Sequence, residues 1–342
     1  MARGKTPVNS DIARKYRKEY DEKFKEQYPD GFPTLKLARI VYNENKIVFK
    51  DVEAARTALR YIEGKTGKFN AKFVNKSEFY KEEHRDRNPY ALPESDEIPF
   101  EPYIIKGHKR VAIFSDIHIP FHSMSALTTA LDFCKKDKPD ALILNGDTLD
   151  AFQLSRFVKD PRKRHFAEEL KMMKHLIEVF QKVLKCKIYF KYGNHSERYE
   201  HFLFTKAKEL IGIEEFELDN LIKARVNGIE IIKDKRIMRL NGLNVIHGHE
   251  YTQGIFNPVN VARGLFLRAK TSALQSHSHQ SSEHTERDMN GKITTTWSTG
   301  CLCELSPPYA PLNKWNWGFA IVDLDNKSFD VRNKRIYEGK VL

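Results

Sequence analysis

Asp, Asn and His residues gather at five places in this 342-residue chain, each directly after a short apolar run. Val111–Phe114 leads into Ser-Asp-Ile-His, which places Asp116 and His118 just past it. Ala141–Leu144 leads into Asn-Gly-Asp-Thr-Leu-Asp, with Asp147 and Asp150. Ile188–Phe190 is followed by Asn194 and His195, Leu243–Ile246 by His247 and His249, and Ser272–Leu274 by His277 and His279. Oxygen and imidazole donors without cysteine suit borderline-hard divalent cations such as Mn²⁺, Fe²⁺, Zn²⁺ or Ni²⁺. About seven candidate ligands exceed the four of one tetrahedral zinc site. A carboxylate shared between two ions uses them without remainder, the layout of two-metal phosphoryl chemistry. Asp116 with His118, and His277 with His279, stand two apart, a spacing that in a simple strand points both side chains to one side. A lone histidine is more often a surface or hydrogen-bonded core residue. Five strand ends in succession are not explained that way.

The elements that must position these residues alternate in type. Strand-length apolar runs are separated by helical patterns over Ser125–Lys136 and Ala167–Leu184, and such alternation means a sheet covered by helices. The carboxyl edges of α/β strands lie together, where such sheets build sites. From Glu283 onward the helical period gives way to β-like segments, Ile293–Ser298, Phe319–Leu324 and Ser328–Val331.

Upstream the texture differs. Residues 1–90 carry a net charge of +7, more than half of the chain's +12. Asp11–Gln27 reads as a helix striped by Ile12, Tyr16, Tyr20 and Phe24. Thr34 can cap a second helix carrying Leu37, Ile40 and Val41, and Asp51 a third carrying Val52, Ala55, Leu59 and Ile62, with Gly64 as its stop. The reading is a basic helical module over 1–85, a Pro-rich acidic linker over 86–102 and a catalytic domain over 103–342. No apolar stretch approaches the ~20 residues of a membrane span, and the amino terminus lacks a secretory pattern. Four scattered cysteines form neither a disulfide framework nor a thiolate zinc site. A reduced, cytoplasmic protein with no membrane partner is expected.

The ordered blocks DIH, GDTLD, GNH, HGH and HSH resemble the calcineurin-like metallophosphoesterase superfamily, over about residues 103–342. One block departs: Ser276 stands where that pattern has Gly. The run from Trp297 through Cys301-Leu302-Cys303 to Asn316-Trp317-Gly318-Phe319 resembles phage and prophage members. The resemblance implies an α/β fold, a two-sheet sandwich flanked by helices, preceded here by the helical module. It implies two divalent ions, Mn²⁺ foremost. Asp116, His118 and His279 resemble ligands of the first, Asn194, His247 and His277 those of the second, and Asp147 the bridge. His195 matches the histidine that assists the leaving group, and Asp150 the carboxylate that orients it. Such an enzyme hydrolyses phosphate esters with a water activated between the cations. His249 reads as an outer-sphere or substrate-contacting residue, Arg198 as a bidentate phosphate holder or a surface ion pair, and His122 as an exposed loop histidine.

The substrate is less constrained. The related protein phosphatases carry Arg-Gly after the second aspartate of G-D-x-x-D, whereas Asp150 is followed by Ala151-Phe152. The basic balance points to nucleic acid, DNA more than RNA. Thr34–Asn43 and Asp51–Glu63 could form a helix-turn-helix presenting Arg56, Arg60, Lys65 and Lys68. The leading expectation is a nuclease-like phosphodiesterase. The alternative is a phosphatase or phosphodiesterase for small phosphorylated molecules or nucleotides, with the module as a packing or assembly element. A non-catalytic binding protein is disfavoured, because no motif residue is missing.

Overall fold

Spacing of apolar residues builds the amino-terminal elements. In the computed structural model, which describes residues 8–29, 31–66, 90, 92–93, 100–156, 165–252, 259–307, 310–326 and 328–342, these are α1 (Val8–Lys23), α2 (Thr34–Glu44) and α3 (Val52–Ile62). Their core joins Ala13, Leu37, Val41, Ala55, Leu59 and Ile62, with Tyr16, Tyr20 and Phe24 packed against it. The first helix begins and ends earlier than the expected 11–27. Asp51 caps α3, its carboxylate accepting the Ala54 N–H at 2.7 Å. Thr34 does not cap α2. Pro33 holds that position, and the Thr34 hydroxyl donates to Glu63 at 3.1 Å instead. Residues 45–51 join α2 to α3, a longer connection than the ~3–4-residue turn of a helix-turn-helix. Lys68 lies outside the described residues, as does most of the expected linker. The chain divides into two units, Met1–Glu97 and Ile98–Leu342.

The second unit contains β1 (Tyr103–Ile104), β2 (Arg110–Phe114), α4 (Met124–Asp137), β3 (Ala141–Asn145), α5 (Phe166–Leu184), β4 (Lys187–Lys191) and α6 (Asn194–Lys206). These are followed by α7 (Leu218–Leu221), β5 (Glu230–Ile232), β6 (Met238–Leu240), β7 (Leu243–Val245), α8 (Val261–Ala269) and β8 (Ala273–Gln275). The chain finishes with β9 (Ser282–Arg287), β10 (Ile293–Ser298), β11 (Gly318–Asp325), β12 (Ser328–Tyr337) and β13 (Lys340–Val341). A seven-stranded sheet has the order β13-β12-β11-β2-β3-β4-β5, and a six-stranded sheet the order β1-β6-β7-β8-β10-β9. β2, β3, β4 and β5 run parallel, while β11 lies antiparallel to β2.

Strand parity sorts the core. Val111, Ile113, Ala141 and Ile143 meet Leu243, Val245 and Leu274 of the other sheet, so the two sheets face each other. Ala112, Phe114, Leu142 and Leu144 point the opposite way, onto Ala130 of α4 and Met173, Ile177 and Phe180 of α5. Each such buried aliphatic or aromatic side chain contributes roughly 1.5–3 kcal/mol. Ser123 caps α4, and Lys138 and Lys185 close α4 and α5 in the left-handed conformation. The result is two mixed sheets facing each other with helices outside, the architecture that the resemblance implies. No helix among the described residues is long and apolar enough to cross a membrane.

Candidate metal centre

Parallel pairing of β2, β3 and β4 brings their carboxyl ends side by side, and β7 and β8 pair in parallel in the facing sheet. From these ends come all seven expected ligands. Ligand atoms of Asp116, His118 and Asp147 lie within 4.8 Å of one another, as do those of Asp147, His247 and His277. Asp147 belongs to both groups. His279 Nε2 is 3.2 Å from Asp116 Oδ1 and 3.2 Å from His118 Nε2. Asn194 Oδ1 is 3.3 Å from His247 Nε2, and Asp147 Oδ2 is 3.2 Å from the same nitrogen.

The convergence does not arise from strand parity. Asp116, His118, Asp147, His277 and His279 all have positive φ, 52°, 52°, 47°, 66° and 56°. Side chains two apart therefore meet through left-handed backbone, which non-glycine residues adopt only where the surroundings enforce it. Glycine makes room for that backbone. A Cβ at Gly193 would lie 2.5 Å from the Asp147 amide nitrogen and closer still to its carboxylate. Hydrogen bonds hold the result: the His195 N–H donates to Asp147 Oδ1 at 2.9 Å and the His277 N–H to Asp116 Oδ2 at 3.1 Å. His247 Nδ1 donates to the Asn145 carbonyl at 2.8 Å, which turns Nε2 toward Asp147.

The electrostatics call for cations. Burial alone would raise the Asp116, Asp147 and Asp150 carboxyls, but neighbouring histidines outweigh it and hold all three below the usual range. Burial likewise disfavours charge on His247 and His279, yet Asp147 and Asp116 push them up to about 9 and about 10. His277 is pushed down to about 4 by burial and by the charge on His247. Both upward shifts reflect the negative charge that the buried carboxylates concentrate at the site. The fit to divalent ions shows at Asp116, whose Oδ1 is buried without a hydrogen-bond partner among the described residues.

The calcineurin-like phosphoesterase family model matches residues 109–295, more than half of the chain. The chain belongs to this family. It is a metal-dependent phosphoesterase, with His and Asp clusters that could bind the two ions on which the family depends. The chain is 24% identical to the Gene 54 protein of Mycobacterium phage L5 over 232 residues, 64% of this chain and 90% of that protein, in keeping with a phage-type member. Among solved structures, a zinc complex of Vps29 from Entamoeba histolytica is 10% identical, with a TM-score of 0.36 and coverage of 68% of this chain and 96% of that one. A dimetal phosphatase from Danio rerio is 9% identical, with a TM-score of 0.35 and coverage of 68% and 98%.

In this phosphoesterase His195 Nδ1 hydrogen-bonds the Asp150 main-chain carbonyl at 3.0 Å and lies 3.0 Å from Asp150 Oδ1. The same oxygen is 3.0 Å from His118 Nδ1, so Asp150 serves two rings where one was expected. Arg198 does not point out to solvent or into a surface ion pair. Its guanidinium donates to the Asp150 carbonyl at 2.7 Å and to His195 Nε2 at 2.9 Å. His249, expected as an outer-sphere or substrate-contacting residue, stands beside His247 and faces Glu197. Its side chain is 7% exposed and its Nε2 is 2.9 Å from Glu197 Oε1. His122 is half-buried and pairs through its backbone with Cys303.

Ser276 has a use of its own. Its hydroxyl accepts from Asn145 Nδ2 at 2.9 Å and from Thr299 at 3.0 Å, tying the histidine turn to the end of β3. Sequence reasoning also passed over Cys303, whose Sγ is 3.9 Å from His279 Nδ1 and which groups with His118 and His279. Its place in an alternating Cys-Leu-Cys run after β10, on the strand-end side of the sheet, was the available signal. Glu169, buried on α5, carried none; its carboxylate accepts the Ala151 N–H at 2.9 Å.

Proposed function

We propose that this calcineurin-like phosphoesterase hydrolyses phosphodiester bonds in nucleic acid, DNA more than RNA, using two divalent ions, Mn²⁺ foremost. The observation that carries the two-ion reading is Asp147, common to both ligand groups. Asp116, His118, Asp147 and His279 would hold the first ion, and Asp147, Asn194, His247 and His277 the second. Held there, the ions would supply a water acidic enough to ionise near neutral pH and positive charge for the phosphoryl oxygens. The protein's own groups do the rest. Asp150 fixes the His195 ring through Nδ1, so that Nε2 is the atom able to pass a proton to the departing oxygen, worth ~10²–10⁴-fold. Arg198 now occupies Nε2. An arriving phosphate is a stronger partner for a guanidinium than a ring nitrogen is, so substrate would draw Arg198 away, and the freed Nε2 would take up a proton from water before passing it to the departing oxygen.

The net charge of +12 supports a polyanionic substrate. A specific observation favours the second reading, a small phosphorylated molecule or nucleotide. Part of the module's positive charge is consumed internally: Arg56 pairs with Glu53 at 3.4 Å, Lys65 with Glu63 at 2.9 Å, and Arg17 is buried against Glu63 at 3.3 Å. The two readings separate in an Mn²⁺-supplemented screen of bis-p-nitrophenyl phosphate, p-nitrophenyl phosphate, single- and double-stranded DNA, and RNA. Cleavage of DNA, with affinity falling steeply in log[salt], supports the nuclease. Turnover of nucleotides or monoesters with no measurable DNA binding rejects it.

A further inference from the structure

Lys191, the last residue of β4, has a fully buried side chain. Its ammonium donates to the Arg236 carbonyl at 2.6 Å and pairs with Glu250 Oε1 at 3.0 Å. Glu250 stands three residues beyond His247, and its side chain is 9% exposed. One carboxylate oxygen accepts the His247 N–H at 2.9 Å and the other the Gly248 N–H at 2.6 Å. Burial pushes the Glu250 carboxyl up, but Lys191 and His247 outweigh it and bring it down to about 2. Neither residue reaches the reacting centre.

Stability does not by itself explain such a pair. Withdrawing two charges from water is expensive, and an apolar pair of similar volume is often as stable or more so. The explanation lies in what the pair connects. Lys191 belongs to the seven-stranded sheet, and Tyr192 and Gly193 lead directly from it to Asn194. Glu250 follows β7 of the six-stranded sheet and grips the backbone of His247 itself. Asn194 Oδ1 and His247 Nε2, 3.3 Å apart, thus come from different sheets, and the buried pair bridges those sheets beside them.

We propose that Lys191 and Glu250 are positioning residues for the second ion, setting the separation of Asn194 and His247. Fixed charges suit this role better than apolar contacts, because a carboxylate taking two backbone N–H groups and an ammonium defines the loop in direction as well as distance. The proposal rests on the assignment of Asn194 and His247 as ligands of the second ion.

The test is metal stoichiometry, read by elemental analysis after equilibration across a range of Mn²⁺ concentrations, with thermal unfolding alongside. The double variant Lys191→Met/Glu250→Gln leaves no unpaired buried charge. It should melt near the wild type and keep one ion at unchanged affinity, while the other binds ~10–100-fold more weakly. If the double variant folds poorly, Glu250→Asp, which keeps both charges and draws the carboxylate back by one methylene, should show the same selective loss. Asn194→Ala marks what loss of the second ion looks like. Two ions at unchanged affinity in the double variant, or equal weakening of both, overturns the positioning role. A wild type that binds only one ion, or an Asn194→Ala variant that keeps two, overturns the ligand assignment beneath it.

Discussion

One carboxylate oxygen, Asp150 Oδ1, faces Nδ1 of both His118 and His195, so a single substitution there reaches two kinds of chemistry. Asp150→Asn should weaken the first ion as well as mis-orient His195; elemental analysis showing reduced first-ion occupancy, alongside slower turnover in excess Mn²⁺, is the expected pairing. His195→Ala should instead retain both ions and slow turnover ~10²–10⁴-fold for poor leaving groups. The defect should shrink for p-nitrophenolate esters, since an oxygen already stable as an anion needs little help from a proton. An equal defect across leaving groups, rescued by added Mn²⁺, would contradict the acid role. Asp147→Asn should lose both ions together and lower activity more than Asn194→Ala or His279→Ala, as metal titration of the three variants will show. The proposed ligand residues were legible because each block couples a residue type to a strand end. The double duty of Asp150 and the inward turn of Arg198 were not, because each depends on neighbours that are distant in sequence.

At the scale of elements, α5 matters to the site through Glu169, which holds the Ala151 N–H next to Asp150. Burial pushes its carboxyl up to about 7. A raised folded pKa means that its contribution is fully present below the unfolded value of about 4.5 and is lost as pH rises through about 7. Glu169→Gln keeps an acceptor for Ala151 and removes the charge. The variant should match the wild type in denaturant unfolding at pH 4 and exceed it at pH 8, by on the order of 1–3 kcal/mol. No pH-dependent difference would show that the site admits water. Periodicity found the long helices and the buried strands because each shows a single apolar face or run. It missed β5 and β6, three residues each, which are too short to display a period. It also stopped β12 at Val331, whereas pairing with β11 and β13 carries that strand to Tyr337. Left-handed backbone at five of the seven proposed ligands has no period at all, and parity reasoning brought these side chains together for the wrong reason.

For the whole molecule, two units with separate cores imply separable contributions. Residues 98–342 alone should retain turnover of bis-p-nitrophenyl phosphate. If the nucleic-acid reading holds, they should bind DNA more weakly and with a shallower log-log salt slope than the full chain. Unchanged slopes would assign residues 1–97 to packing or assembly. The order of strands has a further consequence, for biosynthesis. β2 sits at the middle of the seven-stranded sheet, yet its β11 neighbour comes from Gly318–Asp325, with register Ile113 to Ala320. While the ribosome is still translating that region, every ligand through His279 has already been made, but one edge of the central strand is open. Closing a contact over so long a loop is slow, and an uncovered apolar edge invites pairing with other chains. A nascent polypeptide stalled before Gly318 should therefore be aggregation-prone and inactive despite carrying the complete ligand set. Release of residues 318–342 from the exit tunnel becomes the step that commits the enzyme to its folded form.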